Sequence, residues 1–364
     1  MGGETVAVAA DHVVADGRAR ASLRWPVFYG PWLVLGALAL AGAAGVRVPE
    51  TWRYAPLLAS VVAFGLPHGA IDYVALPRAV AGEVTLGLVA AVSLLYAVAG
   101  AAYTLLWFLA PVPAAVLFIL VTWFHWGQGE LYPLVGLLGA DHLDRPGRLA
   151  TALVRGGLPM LVPLLGFPEV YRAVVDSFVT PFGGTAADLA WLFAGETRLA
   201  LGLGFGLLTA AVLARGYLLA VGPPGGGDNG PGGGRPWLVD AGETVLLWVY
   251  FLTVPPVFAI GVYFCLWHAV RHIARAVGVD RRAADSLRAG DVWSALARFL
   301  KEALPLTALA LVLFAGLWLA VPVEPTLREA TGLYLVFIAI LTLPHVLVVL
   351  WMDRAQGLWS PARG

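Results

Sequence analysis

Long stretches without Asp, Glu, Lys or Arg recur along the chain and set its basic pattern. Three of them, each long enough for one membrane span, cover residues 27–46, 303–323 and 330–352. A longer one covers residues 84–129. A helix needs about 20 apolar residues to cross about 30 Å of bilayer hydrocarbon. The longer stretch is therefore predicted as two helices that meet in a tight turn at Pro111 and Pro113.

Further candidate spans cover residues 54–71 and 244–270. Residues 149–166 and 199–221 are weaker candidates because Arg155 and Arg215 interrupt them. In total the pattern predicts about eight to ten helices. The predicted fold class is all-α, a polytopic integral membrane protein that spans the cell membrane several times.

Composition agrees with this class and excludes others. The 364 residues are 60% hydrophobic and 13% charged, against roughly 45–50% and about 25% in soluble domains. The formal net charge is zero, so nothing indicates a nucleic-acid surface. A single cysteine, Cys265, excludes an intramolecular disulfide and a metal site with several cysteines.

The polar segments divide the chain. Residues 1–24 are predicted to be a flexible tail, and residues 25–356 a transmembrane helical domain whose first helix is an uncleaved anchor. Residues 222–236 are predicted as a glycine-rich connector. Residues 280–302 alternate basic and apolar positions, which is typical of an amphipathic helix on the membrane surface, with an ordinary solvated helix as the alternative.

Arginines near the N-terminus set the predicted orientation. Arg18, Arg20 and Arg24 favour a cytoplasmic N-terminus. The second and fourth helices then both run inward, so residues near their C-terminal ends lie at a similar depth.

Five of the seven histidines lie in or at the end of apolar segments, where ionisable groups are rare and usually functional. They are His68, His125, His268, His272 and His345. One buried histidine is commonly a packing residue, but five favour a shared site. The other two, His12 and His142, lie in polar segments and are assigned to solvent.

The spacing of His268 and His272 predicts a pair of metal ligands. Residues i and i+4 of a helix lie on one face about 6 Å apart along its axis, so both imidazoles can bind one ion. By the predicted topology His68 and His125 lie at a similar depth. Three helices can thus bring four neutral nitrogens to one ion, and imidazole suits iron, copper, zinc and nickel alike.

Two carboxylates and one arginine lie next to these histidines in the sequence. Asp72 and Glu130 are candidates to accept hydrogen bonds from imidazole N–H groups. Both can equally face water at a helix end, and Asp72 can instead complete a centre of two histidines and one carboxylate. Arg271 is expected to reach the lipid headgroups or to pair with a nearby acid.

Aromatic residues are dense around the histidines. A tunnel for a long, flat apolar substrate is one interpretation, and ordinary packing between helices is the other. The tunnel candidates are Trp123, Phe124, Trp126, Tyr263, Phe264 and Trp267.

Four short motifs occur in order along this polytopic chain. They are Pro-His-Gly-Ala-Ile-Asp at 67–72, Phe-His-Trp-Gly at 124–127, Trp-His-Ala-Val-Arg-His at 267–272 and Pro-His at 344–345. Together they resemble the Brp/Blh family of membrane β-carotene 15,15′-dioxygenases, and the resemblance covers roughly residues 54–354.

The resemblance implies a non-haem ferrous enzyme that cleaves the central double bond of β-carotene with dioxygen to give retinal. Family iron ligands carry over onto His68, His125, His268 and His272, while His345 is carried over only as a nearby residue. The implied partners are β-carotene, dioxygen, membrane lipid and a rhodopsin that receives the retinal.

The residues by themselves are compatible with three other classes of membrane protein. A histidine-based transporter, or a pathway for protons or metal ions, is the main alternative, and it predicts polar groups through the full membrane depth. A haem protein with two axial histidines is a second. A structural scaffold is a third, and it leaves the spacing of His268 and His272 unexplained.

Overall fold

The computed structural model describes residue 14, residues 16–221 and residues 234–359. This part of the chain contains sixteen α-helices and no β-strand, which confirms the predicted all-α class. In chain order the helices are α1 (Gly17–Arg24), α2 (Gly30–Ala43), α3 (Ala55–Val62), α4 (Gly65–Ala70), α5 (Asp72–Ala81), α6 (Leu86–Leu109), α7 (Pro111–Leu131), α8 (Arg145–Gly166), α9 (Pro168–Val179), α10 (Gly195–Ala220), α11 (Arg235–Thr253), α12 (Pro256–Tyr263), α13 (Ala269–Gly278), α14 (Arg281–Arg288), α15 (Val292–Ala320) and α16 (Leu327–Ala355).

Nine helical segments among the described residues are long and apolar enough to cross a membrane, in agreement with the predicted eight to ten. The predicted turn at Pro111 is confirmed, because α7 begins there. The candidate span 244–270 is wrong as one helix, since α11 ends at Thr253 and α12 begins at Pro256. The two weaker candidates, interrupted by Arg155 and Arg215, are α8 and α10. Helix α11 lies in the same bundle, packed against α2 and α8.

Polar side chains fix the starts of several helices. Asp144 accepts a hydrogen bond from the backbone N–H of Gly147 at 2.9 Å and begins α8. Thr326 accepts one from Glu329 at 3.2 Å and begins α16. Such caps pair backbone N–H groups that a helix leaves unsatisfied at its first turn. Short polar connections therefore determine where successive spans begin.

Helices α7 and α8 approach closely at two glycines. A Cβ atom on Gly127 would overlap the backbone carbonyl of Ala152, and one on Gly156 would overlap that of Trp123. Small residues allow membrane helices to pack at such short range. Gly127 lies two residues after His125, so this contact holds the histidine-bearing part of α7 against α8.

Helix geometry is irregular around the histidines. The second span is divided into α3, α4 and α5, and the six-residue α4 carries His68. A π-helical turn, Phe264–His268, joins α12 to α13. Wide turns of this kind frequently occur at functional sites. The chain thus departs from regular helix where it presents His68 and His268.

The predicted flexible tail is too long. Residues Gly17–Arg24 form α1, which begins at the cap Asp16 and buries Ala19 and Leu23. Helix α1 packs against α14, and this burial explains why the segment is helical despite its polarity. Residues 1–13 and 15 of the predicted tail lie outside the described residues.

The segment 280–302, predicted as one amphipathic surface helix, is divided. Helix α14 ends before Gly290, whose positive φ of 80° turns the chain, and α15 then begins as part of a membrane-spanning helix. A φ in this range suits glycine because it has no Cβ. In the predicted connector, residues 222–233 lie outside the described residues, and residues 235–236 already belong to α11.

Candidate metal centre

Five histidines from four membrane-spanning segments meet inside the bundle. They form the histidine cluster, which consists of His68 on α4, His125 on α7, His268 at the end of the π-helical turn, His272 on α13 and His345 on α16. All five side chains are buried, and none exposes more than 8% of its surface.

The rings of the histidine cluster face one another at short range. Nε2 of His125 lies 3.1 Å from Nε2 of His268. The candidate ligand atoms of His68, His125 and His345 lie within 4.8 Å of one another, and so do those of His125, His268 and His272. His125 belongs to both groups and therefore lies at the centre of the cluster.

Several ring nitrogens in the histidine cluster have no hydrogen-bond partner among the residues that the structure describes. Nε2 of His272 and Nε2 of His345 are buried without one, although burial of an unpaired polar group is costly. Two imidazole nitrogens that bind one ion at about 2.1 Å and at right angles lie roughly 3 Å apart. The 3.1 Å between His125 and His268 is close to that separation. The cluster therefore fits a metal ion, and imidazole donors do not decide between iron, copper, zinc and nickel.

Hydrogen bonds from outside the cluster orient two of its rings. Nδ1 of His345 lies 2.7 Å from Oδ2 of Asp72, and the Tyr96 hydroxyl donates to the same oxygen at 2.6 Å. Nδ1 of His68 contacts the backbone carbonyl of Gly65. When Nδ1 carries the hydrogen and donates it, the lone pair of Nε2 is free to bind a metal ion. This arrangement is typical of histidines that bind metals.

All four histidines predicted as ligands lie together, and His345, predicted only as a neighbour, lies among them. Asp72 was predicted either as a ligand or as an acceptor for an imidazole N–H. Its carboxylate bonds to His345 and Tyr96, and it belongs to neither group of candidate ligands.

Gly129 is a residue of the site that the sequence reasoning missed. A Cβ atom at this position would lie only 2.6 Å from Nε2 of His272. Gly129 follows His125 by four residues, so both lie on one face of α7. The four-residue spacing could have indicated the role of Gly129. A small residue on the helix face that carries His125 leaves room for the ring of His272.

A second polar group, the ion-pair cluster, lies beside the histidines and joins four helices. It consists of Glu130 on α7, Arg155 on α8, Asp240 and Glu243 on α11, and Arg271 on α13. Arg271 donates to Glu130 at 2.6 Å and to Glu243 at 2.5 Å. Arg155 donates to Asp240 at 2.9 Å and to Glu243 at 3.0 Å. All five side chains are at least nine-tenths buried.

The contacts of the ion-pair cluster bear on three predictions made from the sequence. Arg271 pairs with acids, which was one of its two expected roles. Glu130 accepts hydrogen bonds from Arg271 and from Trp267 Nε1 at 3.0 Å, so its bonds do not run to an imidazole. His142, assigned to solvent, is 2% exposed, and its Nε2 lies 3.3 Å from Oδ2 of Asp240. It is buried between α10 and α11, because a Cβ atom on Gly216 of α10 would lie 3.2 Å from its ring on one side and Asp240 of α11 contacts it on the other.

A cavity of about 430 Å³ reaches the histidine cluster. His68, His125, His268, His345 and Asp72 line it, and every other lining side chain is apolar, aromatic or a hydroxyl. The cavity also follows one face of α16 from His345 to Thr331. Fourteen residues of helix correspond to about 21 Å. The cavity is thus a long apolar space, and the histidines line one end of the part that follows α16.

Two of the six residues predicted to form a substrate tunnel line the cavity. Trp126 and Phe264 line the cavity, whereas the lining does not include the other four, Trp123, Phe124, Tyr263 and Trp267. Trp123 donates to the backbone of Leu153 on α8, and Trp267 covers the guanidinium of Arg271 at 4.0 Å. The aromatic lining that sequence reasoning missed consists of Tyr73, Tyr96, Phe118, Tyr171 and Phe178.

Comparison with known proteins gives a consistent result. A family model described as beta-carotene 15,15′-dioxygenase matches residues 59–353. The protein named probable beta-carotene 15,15′-dioxygenase Blh, from Halobacterium salinarum, is 57% identical over 343 residues, which cover 94% of this chain and 96% of the relative. The protein named probable beta-carotene 15,15′-dioxygenase Brp, from the same organism, is 34% identical over 346 residues, covering 89% and 92%. No solved structure gives a significant match. The chain therefore belongs to the beta-carotene 15,15′-dioxygenase family.

Proposed function

We propose that this protein binds one ferrous ion at the histidine cluster and uses dioxygen to cleave the central double bond of β-carotene into two molecules of retinal. The observation that carries the proposal is the meeting of unpaired, buried imidazole nitrogens with a long apolar cavity. The names of the relatives support the same substrate and reaction. The reaction balances without another oxidant, because one carbon–carbon double bond breaks and each end takes one oxygen atom of O₂.

The five histidines are the proposed ligand set, with His125 at its centre. Bound ferrous iron would supply activation of dioxygen, which imidazole side chains cannot provide by themselves. Asp72 holds the His345 ring by accepting its Nδ1–H, and Tyr96 in turn holds Asp72. These residues orient the ligands before substrate arrives, so little reorganisation is needed at the site.

The cavity positions the substrate relative to the histidine cluster. Its wall along α16 provides an apolar surface for a polyene, and Trp126 and Phe264 present rings beside His268. A long substrate held along this wall has only a short segment next to the histidines, which favours reaction at one bond. The apolar lining also excludes water from the reacting segment.

The lining supports the dioxygenase over a transport pathway. A path for protons or metal ions needs polar groups through the membrane depth. Apart from the histidines and Asp72, no residue that lines the cavity in the described chain carries a charge. We place the protein in the cell membrane, where it takes β-carotene from lipid and releases retinal to a rhodopsin.

The proposal is tested by expressing the chain in cells that accumulate β-carotene and measuring retinal in the extract. Wild type is expected to form retinal, and His125→Ala to form none while staying in the membrane. Purified wild-type protein is assayed for bound metals by mass spectrometry, with iron expected. Unchanged β-carotene with folded, iron-loaded wild type would refute the reaction, and another metal supporting full activity would refute the iron.

A further inference from the structure

Most residues that line the cavity are buried or half-buried, but four are exposed at the outer surface of the bundle. They are Ser93 and Ala97 on α6, and Leu309 and Leu313 on α15. Leu309 and Leu313 expose 50% and 52% of their surface. Each pair is spaced i and i+4, so it forms one stripe on its helix. Among the described residues, the exposed part of the cavity wall therefore consists of one stripe on α6 and one on α15.

Helices α6 and α15 both border the cavity, and we call the space between their exposed stripes the slot. Helix α6 packs against α5, α7 and α16, whereas α15 packs against α4, α13, α14 and α16. Leu341 and Thr342 of α16 line the cavity behind the slot. The outer surface of spanning helices faces bilayer hydrocarbon, so the exposed stripes are the part of the cavity wall that lipid can reach.

On its α6 side, the slot lies at the depth of the histidine cluster. Tyr96 lies on α6 between Ser93 and Ala97, and its hydroxyl bonds to Asp72, which bonds to His345. In the other direction the cavity continues for about 21 Å along α16 towards Thr331. None of the lining residues that α9 and α16 contribute to that second part is exposed. The cavity thus has one open side and one closed arm, and the histidines lie between them.

We infer that the slot between α6 and α15 is the portal by which a long apolar polyene passes sideways from the bilayer to the histidine cluster. This rests on the proposed function. One half of the polyene fills the closed arm along α16, and the other half stays in the slot. The central bond then lies beside the histidines, because they separate the two parts. The slot suits a hydrocarbon, since its exposed walls carry a single hydroxyl, that of Ser93, and no charge.

The first test narrows the slot with a bulky side chain. Ala97→Trp is expected to lower kcat/KM for β-carotene in lipid vesicles by at least about tenfold, since access to the site is slowed. Its matched control is Leu94→Trp, on the same helix at a side chain that is 64% exposed and does not line the cavity. The control is expected to match wild type, and both variants should keep the wild-type metal content.

A second pair avoids any effect on folding, because the block is added to the folded protein. Ala97→Cys and Leu94→Cys are each labelled with a bulky aromatic methanethiosulfonate. The native Cys265 is buried, and wild type treated with the same reagent shows any effect of labelling at that residue. Labelled Ala97→Cys should lose at least about tenfold in kcat/KM and regain it with reductant. Labelled Leu94→Cys should not change.

Binding separates failure of the portal from failure of the proposed reaction. The rate at which β-carotene in vesicles quenches tryptophan fluorescence is measured for wild type and for both labelled variants. If wild type binds β-carotene without cleaving it, the proposed function fails, and slower binding in labelled Ala97→Cys still supports the portal. Equal binding and cleavage rates in blocked and control proteins would overturn the portal.

Discussion

The histidine cluster and the ion-pair cluster share helices α7 and α13, where Arg271 directly precedes His272. The two clusters nevertheless satisfy their buried polar groups in different ways. In the ion-pair cluster, guanidinium and carboxylate groups pair with one another across four helices. In the histidine cluster every member is an imidazole, and several ring nitrogens have no hydrogen-bond partner among the described residues. Paired guanidinium and carboxylate groups are sufficiently explained by folding. Imidazole nitrogens that lie within 4.8 Å of one another and include buried ones without a partner instead favour a metal ion from outside.

The largest effect is expected when the histidine cluster is broken. His272→Ala and His268→Ala should each remove bound metal and activity together while the protein stays folded in the membrane, because other helices still hold α13. Metal content by mass spectrometry and retinal formation are the measurements. The matched control is His142→Gln, a buried histidine that bonds to the ion-pair cluster, and it should keep its metal. If either alanine variant kept full metal content, that histidine would not be a ligand.

The next effect tests the ion-pair cluster. Arg271→Leu removes one of the two arginines that pair with Glu130 and Glu243, which leaves Arg155 alone against three buried carboxylates. Breaking a buried pair in this way costs about 3–5 kcal/mol, and the free energy of unfolding in detergent should fall by that amount. Adding Glu243→Gln removes one of the excess negative charges and should restore part of the loss. A stable single variant would mean that the cluster does not hold α7, α11 and α13 together.

A smaller effect is expected at the residue that orients a ring of the histidine cluster. Asp72→Ala removes the acceptor of the His345 Nδ1–H but leaves all five imidazoles in place. Loss of such a partner weakens metal binding by about 10–100-fold, which competition with a chelator measures. The free energy of unfolding should change less than in Arg271→Leu. Tyr96→Phe, which removes only one hydrogen bond to Asp72, is the control and should weaken metal binding less than Asp72→Ala.

Local spacing was the part of the histidine cluster that the sequence could predict. The separation of His268 and His272 places both on one helix face whatever the rest of the chain does. The place of His345 was not predictable, because its contact with Asp72 joins residues 273 positions apart. Nothing in either local sequence specifies which distant helix it will meet. For the same reason the cavity lining along α16 was missed.

The ion-pair cluster was missed for an energetic reason. Charged residues lower the hydropathy of a segment, so Asp240 and Glu243 fell outside the predicted spans, and Arg155 counted only as an interruption. In the folded bundle these charges neutralise one another and become tolerable at depth. A sequence window evaluates each charge alone. The cost of a buried charge depends on its partner, which only the packed helices reveal.

The smallest effect is expected at an ion pair that faces water. Arg215 bonds to both carboxylate oxygens of Asp144, at 2.7 and 2.6 Å, and the two side chains are 43% and 46% exposed. The Arg215 guanidinium lowers the pKa of Asp144 below its usual 3.8. Because the folded-state pKa is the lower one, the pair stabilises the protein above about pH 3.8, and the stabilisation disappears as pH falls through the folded-state value. Arg215→Gln should therefore cost less than about 1 kcal/mol at pH 7 and approach zero in acid, as measured by unfolding at both pH values. A loss at pH 7 as large as that of Arg271→Leu would contradict the distinction between exposed and buried ion pairs in this bundle.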